Sequence, residues 1–345
     1  MSDYGKDISI EQKKAEDFIK RYDGITKNGV DDKTFDLITR AFREVNEGWD
    51  DKDVLVKLID RIDHISRYTV TPYKVGHTFA ELNDPDYCLI RDGFITIGAE
   101  ANAGKSSFLT ALSLEIMRHN KNMAFLFYSL DDCELLSGKR ILSQITRVNQ
   151  FRNTFNMDTI SDQDRSEITD LMGRIMMKES FNLHTVERDA ERTKKRCGCT
   201  RIIIGIDYLQ IIPTTTENRR EHYNDAVKGL KEVQKRMAAD GCIMFLLSQF
   251  NRDRSSTTYR YRETSEIENQ SDVCIDIKGD DANREDPSRE ITVMKNKLGK
   301  KGRIWKTSFR SAVGGTDFNF TPLTATTRIT TTEDADTDDY KRRLR

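Results

Sequence analysis

The run AEANAGKSS, Ala99 to Ser107, stands between an apolar stretch that reads as a strand, FITIGA from Phe94, and one that reads as a helix, FLTALSLEIMRHN. No other segment restricts the fold as tightly. A nucleoside triphosphate needs its phosphate oxygens ringed by backbone N–H donors, and a tight loop opening onto a helix N-terminus supplies them. Gly104 permits close backbone approach, Lys105 is placed to neutralise the β and γ phosphates, and Ser106 to set its hydroxyl on Mg²⁺. Ala99, Ala103 and Ser107 complete the candidate nucleotide-binding set, with Ala99 standing where the usual pattern has glycine. The competing reading is a chance GKS in a surface turn. Against it stand the strand before, the helix after with Phe108, Leu112 and Ile116 on one face, and a distal carboxylate, Asp207, at the end of RIIIGID. A strand ending in Asp delivers that carboxylate to the C-terminal edge of a sheet, where it can hold the hydration shell of Mg²⁺.

Apolar runs alternate with helical spacing from Gly93 onward. The runs are FITIGA, MAFLFYSL from 123, RIIIGID from 201, IMFLLSQ from 243, VCIDI from 273 and EITVMK from 290. Nearly unbroken apolar strands separated by helices predict an α/β fold, a central, mostly parallel sheet flanked by helices. Toward the end a hairpin is expected, with its turn around Gly299 and Gly302 and a returning strand from Arg303 to Phe309. Before Arg67, Phe35, Ile38, Phe42 and Val45, then Leu55, Leu58, Ile62 and Ile65, recur at helical spacing, with Asp32 and Asp51 as N-caps. The expected organisation is a helical region over 1–70, a linker over 71–92, a motor-sized domain over 93–322 and a tail over 323–345.

The chain has 345 residues, enough for one large α/β domain with an appendage. Its 56 Lys and Arg against 57 Asp and Glu leave a formal charge of −1, which argues against coating nucleic acid by bulk charge while leaving a local basic channel open. No apolar run approaches the roughly 20 residues that span a bilayer, and the opening MSDYGKDISIEQKK lacks a signal core. A soluble, cytoplasmic protein without membrane contact is expected. The six cysteines lack paired CxxC spacing, and the lone CxC of Cys197 and Cys199 is two short of the four ligands of a structural zinc. Reduced thiols are expected.

The order AEANAGKSS, YSLDD, IIIGIDYLQII, FLLSQFNRD, YRETSEIENQSDV and VMKNKLG resembles the RecA-like P-loop NTPase core of DnaB-type replicative helicases, including phage-encoded members. The resemblance spans roughly Gly93 to Phe320, and that family also tolerates alanine at the position of Ala99. It implies a homohexameric ring that uses ATP or another NTP with Mg²⁺ to draw single-stranded DNA through its centre, 5′ to 3′, with a primase and a loader as partners. Carried over, Lys105, Ser106 and Asp207 hold phosphate and metal, and Gln249 senses the γ-phosphate. Lys295 and Lys297 reach the neighbouring subunit's γ-phosphate. The register of SLDDCELLSGKRILS, up to Arg140, puts Asp131 where the family has its catalytic glutamate.

Three departures bear on activity. Asp131 is one methylene shorter than glutamate, setting its carboxylate back by about 1.5 Å, one C–C bond, unless Asp132 or the backbone compensates. Lys297 stands where these helicases place an arginine finger, although the related recombinases use paired lysines. Only a short helical stretch precedes the motor, with the amphipathic segment from Val54 to Ile65 as candidate docking helix. DNA contact is expected from PTTTENRREHYND, with Arg219 and Arg220, and from NRDRSSTTYRYR, with Arg252, Arg254, Arg260 and Arg262. Lys300, Lys301 and Arg303 on the hairpin form a weaker candidate. The departures also leave open a nucleotide-gated DNA-binding ring, a recombination mediator or a loader partner with little turnover.

Overall fold

The computed structural model describes residues 72–100, 102–151, 158, 160–212, 219–250, 266–279, 287–311 and 318–326. A 3-10 turn, His77–Asn83, leads into β1 (Gly93–Ala99), α1 (Lys105–His119), β2 (Met123–Ser129), α2 (Glu134–Thr146), α3 (Asp162–Gly173) and β3 (Ile175–Lys178). Then come α4 (Val186–Cys197), β4 (Arg201–Asp207), α5 (Arg219–Met237), β5 (Cys242–Gln249) and the short α6 (Glu266–Gln270). The chain closes with β6 (Val273–Gly279), β7 (Ser288–Asn296), β8 (Ile304–Ser311), β9 (Phe318–Phe320) and β10 (Thr324–Ala325).

The sheet runs β10-β8-β7-β6-β1-β5-β4-β2-β3, with β9 also on β8. The six strands from β6 to β3 are parallel, and β7, β8, β9 and β10 add antiparallel pairs. Every residue of β1 and β2 is buried, as expected where helices cover both faces. Alternate residues serve the two layers. Ile95, Ile97, Phe125, Phe127 and Ile203 pack toward α1, α2 and α3, while Phe94, Leu126, Tyr128, Ile202 and Ile204 pack toward α4 and α5. The parallel α/β sheet and its terminal hairpin, β7 to β8, agree with the sequence reading.

Where the sequence suggested one buried face for α1, the structure buries Phe108, Leu109, Leu112, Leu114, Ile116 and Met117 alike. The extra cover comes from outside the alternating pattern: Phe79 meets Phe108 edge-on at 5.4 Å and Phe320 does so at 5.6 Å. Residues read as a linker thus carry Tyr73, Phe79, Leu82, Leu89 and Ile90 into the core. Arg303 pairs with Asp84 at 2.8 Å and Glu81 at 3.0 Å, and Lys300 with Asp86 at 2.6 Å. Glycine is required at 299, since an added Cβ would lie 2.7 Å from the carbonyl oxygens of Asp86 and Tyr87. The sequence reading missed β3, β9 and β10, which are too short to show a period. The helical unit before Arg67, with its segment Val54 to Ile65, and the tail beyond 326 lie outside the described residues. Among the described residues no helix is long and apolar enough to cross a membrane.

Candidate nucleotide site

The C-terminal ends of β1, β2, β4 and β5 meet at one edge of the sheet, with Ala99 opposite Gln249 and Ser129 opposite Asp207. The phosphate loop leaves from there. Asn102 and Gly104 take positive φ values, 64° and 93°, and Gly104 caps α1 in the left-handed region that favours glycine. Lys105 is buried, and its Nζ donates to the Glu100 carbonyl at 2.9 Å. Burial pushes the lysine pKa down, against the opposing pull of the Asp207 and Asp131 carboxylates.

Asp207 ends β4 and is buried. Its loss of solvent raises the pKa to about 6, opposed by a hydrogen bond from Ser106 and by the charges of Arg140 and Lys105, and reinforced by Asp131. The peptide bond from Asp207 to Tyr208 is cis. Lys105, Ser106, Asp131 and Asp207 are therefore brought to one place, as the sequence reading expects. The set fits a magnesium-bound nucleotide: a buried ammonium for phosphate, and a hydroxyl and carboxylate as hard oxygen donors of the kind Mg²⁺ takes alongside substrate phosphates and water. No group of three His, Cys, Asp or Glu able to hold a metal by itself occurs among the described residues. Cys197 ends α4 and Cys199 follows its Gly198 cap, with the Cys199 thiol 3.7 Å from the Cys197 carbonyl.

Asp131 is exposed beyond β2. Asp132 is instead engaged by Arg140, whose Nη2 lies 2.6 Å from its Oδ2. Ser129 shapes this turn, donating its hydroxyl to the Asp132 carbonyl at 2.9 Å. Gln249 is half-buried at the tip of β5, with its backbone N–H 3.4 Å from the Gln210 Oε1. Gln210 also donates to the Ser248 hydroxyl at 3.0 Å, so it braces the end of β5. On α2, Gln144 donates to the Ser107 carbonyl at 2.7 Å, and Arg289 on β7 donates to that of Ala103 at 3.0 Å. The sequence reading missed Gln210, Gln144 and Arg289; each acts on a backbone or side chain far away in sequence, and no local pattern marks it.

Lys295 and Lys297 lie at the opposite edge of the sheet. Lys295 donates to the carbonyls of Glu268 and Asn269, and the Lys297 Nζ meets the Asp272 Oδ1 at 2.9 Å. Ile277 pairs with Ala99 beside the phosphate loop, so Asp272 lies about 16 Å down the strand direction, beyond the reach of a lysine's four-carbon stem. The contacts of both lysines thus hold their side chains at the sheet edge away from the phosphate loop of the same chain. Of the candidate DNA contacts, Arg219 opens α5 and Arg220 is exposed on it, so both belong to a helix rather than to the expected loop. The helical spacing of buried Tyr223, Ala226, Val227 and Leu230 accounts for the early start. Arg252, Arg254, Arg260 and Arg262 lie outside the described residues. Two of the three hairpin cations, Lys300 and Arg303, are taken by ion pairs.

The sequence profile of the DnaB-like helicase C terminal domain matches residues 75–314. A solved ATPase domain superposes with a TM-score of 0.58 at 19% identity, covering 81% of this chain and all of that one. A solved DnaB-like replicative helicase, described with its interactions with primase, superposes at 0.58 and 18% identity, covering 93% of this chain and 76% of that one. No curated protein matches the chain.

Proposed function

The chain belongs to the DnaB-like helicase C terminal domain family, as an NTP-hydrolysing enzyme of RecA-like fold, and from that premise we propose a replicative motor that hydrolyses ATP between subunits of a hexameric ring. Single-stranded DNA passes through the ring 5′ to 3′, and duplex is parted ahead of it. The observation that carries this reading is the convergence of Lys105, Ser106, Asp131 and Asp207 at one sheet edge.

In this reading Lys105 and the backbone of Ala103 to Ser107 bind the phosphates, and Ser106 with Asp207 would hold Mg²⁺. When bound, the ion draws charge from the phosphate oxygens. Asp131 orients the attacking water and accepts its proton, Gln249 reports the γ-phosphate to the loop beyond it, and Lys295 and Lys297 serve the next subunit's nucleotide. Their side chains, engaged by Glu268, Asn269 and Asp272 at the sheet edge away from their own phosphate loop, support a role across the boundary. Arg219, Arg220, Arg252, Arg254 and Arg260 grip the DNA backbone. The helicase described with primase supports a primase as partner; a loader is proposed on resemblance alone, as are the cytoplasmic setting and a phage origin.

Fork unwinding with Mg-ATP, with Lys105→Ala as control, tests the reading; no unwinding on either tail polarity overturns it. The exposure and short reach of Asp131 favour one alternative, a nucleotide-gated DNA-binding ring with little turnover. Steady-state hydrolysis that is indifferent to single-stranded DNA would select that alternative.

A further inference from the structure

We propose that Arg289, on β7, is a positioning residue that sets the phosphate loop for nucleotide, an inference that rests on the hydrolytic reading above. Its Nε donates to the Ala103 carbonyl at 3.0 Å and its Nη1 to the Ser288 carbonyl at 2.7 Å. Within the loop, Ala103 is tied only loosely, by its N–H to the Glu100 carbonyl at 3.4 Å. That bond belongs to the preceding peptide unit; the carbonyl, in the unit that joins Ala103 to Gly104, is held by the guanidinium.

A trans peptide unit is planar, with its C=O and following N–H pointing in opposite directions. Holding the Ala103 carbonyl toward Arg289 therefore aims the Gly104 N–H away from it, as a backbone donor to a phosphate must be held before the anion arrives. Gly104 has the freedom of its left-handed φ of 93°, and an outside anchor removes the alternatives that freedom allows.

The seat of Arg289 is itself built. A Cβ placed on Gly279 would lie 3.4 Å from Cζ, 3.5 Å from Nε and 3.5 Å from Nη1. Three nearly equal distances mean that the guanidinium plane faces Gly279, its partner across β6 and β7. Lysine cannot copy this contact, because a single ammonium has neither the flat face nor the fork.

The test compares Arg289→Ala, Arg289→Lys and Gly279→Val, the last displacing the guanidinium from its seat. Fluorescent ADP binding, kcat and KM for ATP, and Tm are measured on the full chain. Arg289→Ala is expected to weaken ADP binding and raise KM about tenfold, the worth of one hydrogen bond to a charged group, with kcat changed much less. Arg289→Lys recovers only part, Gly279→Val reproduces the alanine effect, and the double variant is no worse than either. Unchanged affinity and KM in Arg289→Ala, or a fall in Tm alone, overturns the proposal while leaving hydrolysis standing. Failure of the unsubstituted chain to bind ADP or hydrolyse ATP overturns the functional reading and this inference with it.

Discussion

The Asp132 Oδ2 lies 2.6 Å from the Arg140 Nη2, so the second carboxylate of the Asp131–Asp132 pair is committed to an ion pair. Asp131 is the one whose charge acts on Lys105 and Asp207. Replacing Asp131 with Asn should lower kcat by about 10² or more, the usual worth of a positioned base, while nucleotide affinity changes little. Asp132→Asn should cost less than about tenfold. Asp131→Glu extends the carboxylate by about one bond and should raise kcat several-fold, since positioned catalysis responds to shifts of that size. Steady-state rates with fluorescent-nucleotide titrations check all three; an Asp132→Asn loss equal to that of Asp131→Asn would reassign the base.

Asp207 should trade stability for function. Its folded pKa, about 6, stands above the ordinary 3.8 because of burial. A carboxyl shifted upward binds its proton more tightly in the folded state, so its contribution is favourable at low pH and is lost as pH rises through about 6. At pH 7 the ionised group opposes folding by up to about 3 kcal/mol, taking about 1.4 kcal/mol per pKa unit. Asp207→Asn should raise the Tm of the nucleotide-free protein at pH 7 by several degrees, and by less at pH 5, while abolishing turnover. Calorimetry at the two pH values decides; a lower Tm in the variant at pH 7 would contradict this account.

The parallel strands were legible in the sequence because a strand covered on both faces must be apolar throughout, and the phosphate loop because its chemistry is local. The four residues of β3 are too few to show a period. The packing of residues 73–90 was hidden for another reason: Phe79 sits in a Gly- and Pro-flanked stretch and finds its partners on α1 and β9. Gln210 braces Ser248, 38 positions on, and Arg289 holds Ala103, 186 positions back. Such contacts exist only after the fold has formed. The same holds for Asp132, which in sequence is indistinguishable from its neighbour until Arg140 is seen to take it.

Asp272 should contribute stability with the opposite pH dependence to Asp207. Burial alone would raise its pKa, but hydrogen bonds from Lys231, the Phe94 N–H and Lys297 together hold it below the ordinary carboxylate value. A depressed folded pKa gives stability that is present above the unfolded value, near 4, and is lost as pH falls through the lower folded one. Asp272→Asn leaves Lys231 buried without its counter-charge, and should destabilise by about 3 kcal/mol at pH 7, with the difference shrinking below pH 4. Urea unfolding at pH 7 and near pH 3.5 measures both; an equal difference at the two pH values would mean that the charge is not what stabilises.

Lys297 offers a test of whether catalysis spans two subunits. It lies near Asp272, about 16 Å along the strand direction from its own phosphate loop, so its loss should leave nucleotide binding by a single subunit intact. Lys297→Ala should therefore bind fluorescent ADP as the unsubstituted chain does, yet hydrolyse ATP at least about a hundredfold more slowly. Lys105→Ala should be inactive for the opposite reason, with its lysines whole and its phosphate loop disabled. Mixed in equal amounts under conditions that allow subunit exchange, the two inactive variants should recover activity. In a ring of head-to-tail interfaces a Lys297→Ala subunit is followed by a Lys105→Ala subunit at about a quarter of the boundaries, and each such boundary has one intact half from either chain. About a quarter of the unsubstituted chain's rate should return. No recovery, with rings confirmed to form and exchange, would place the lysines' work inside one subunit and remove the shared site on which the motor reading depends.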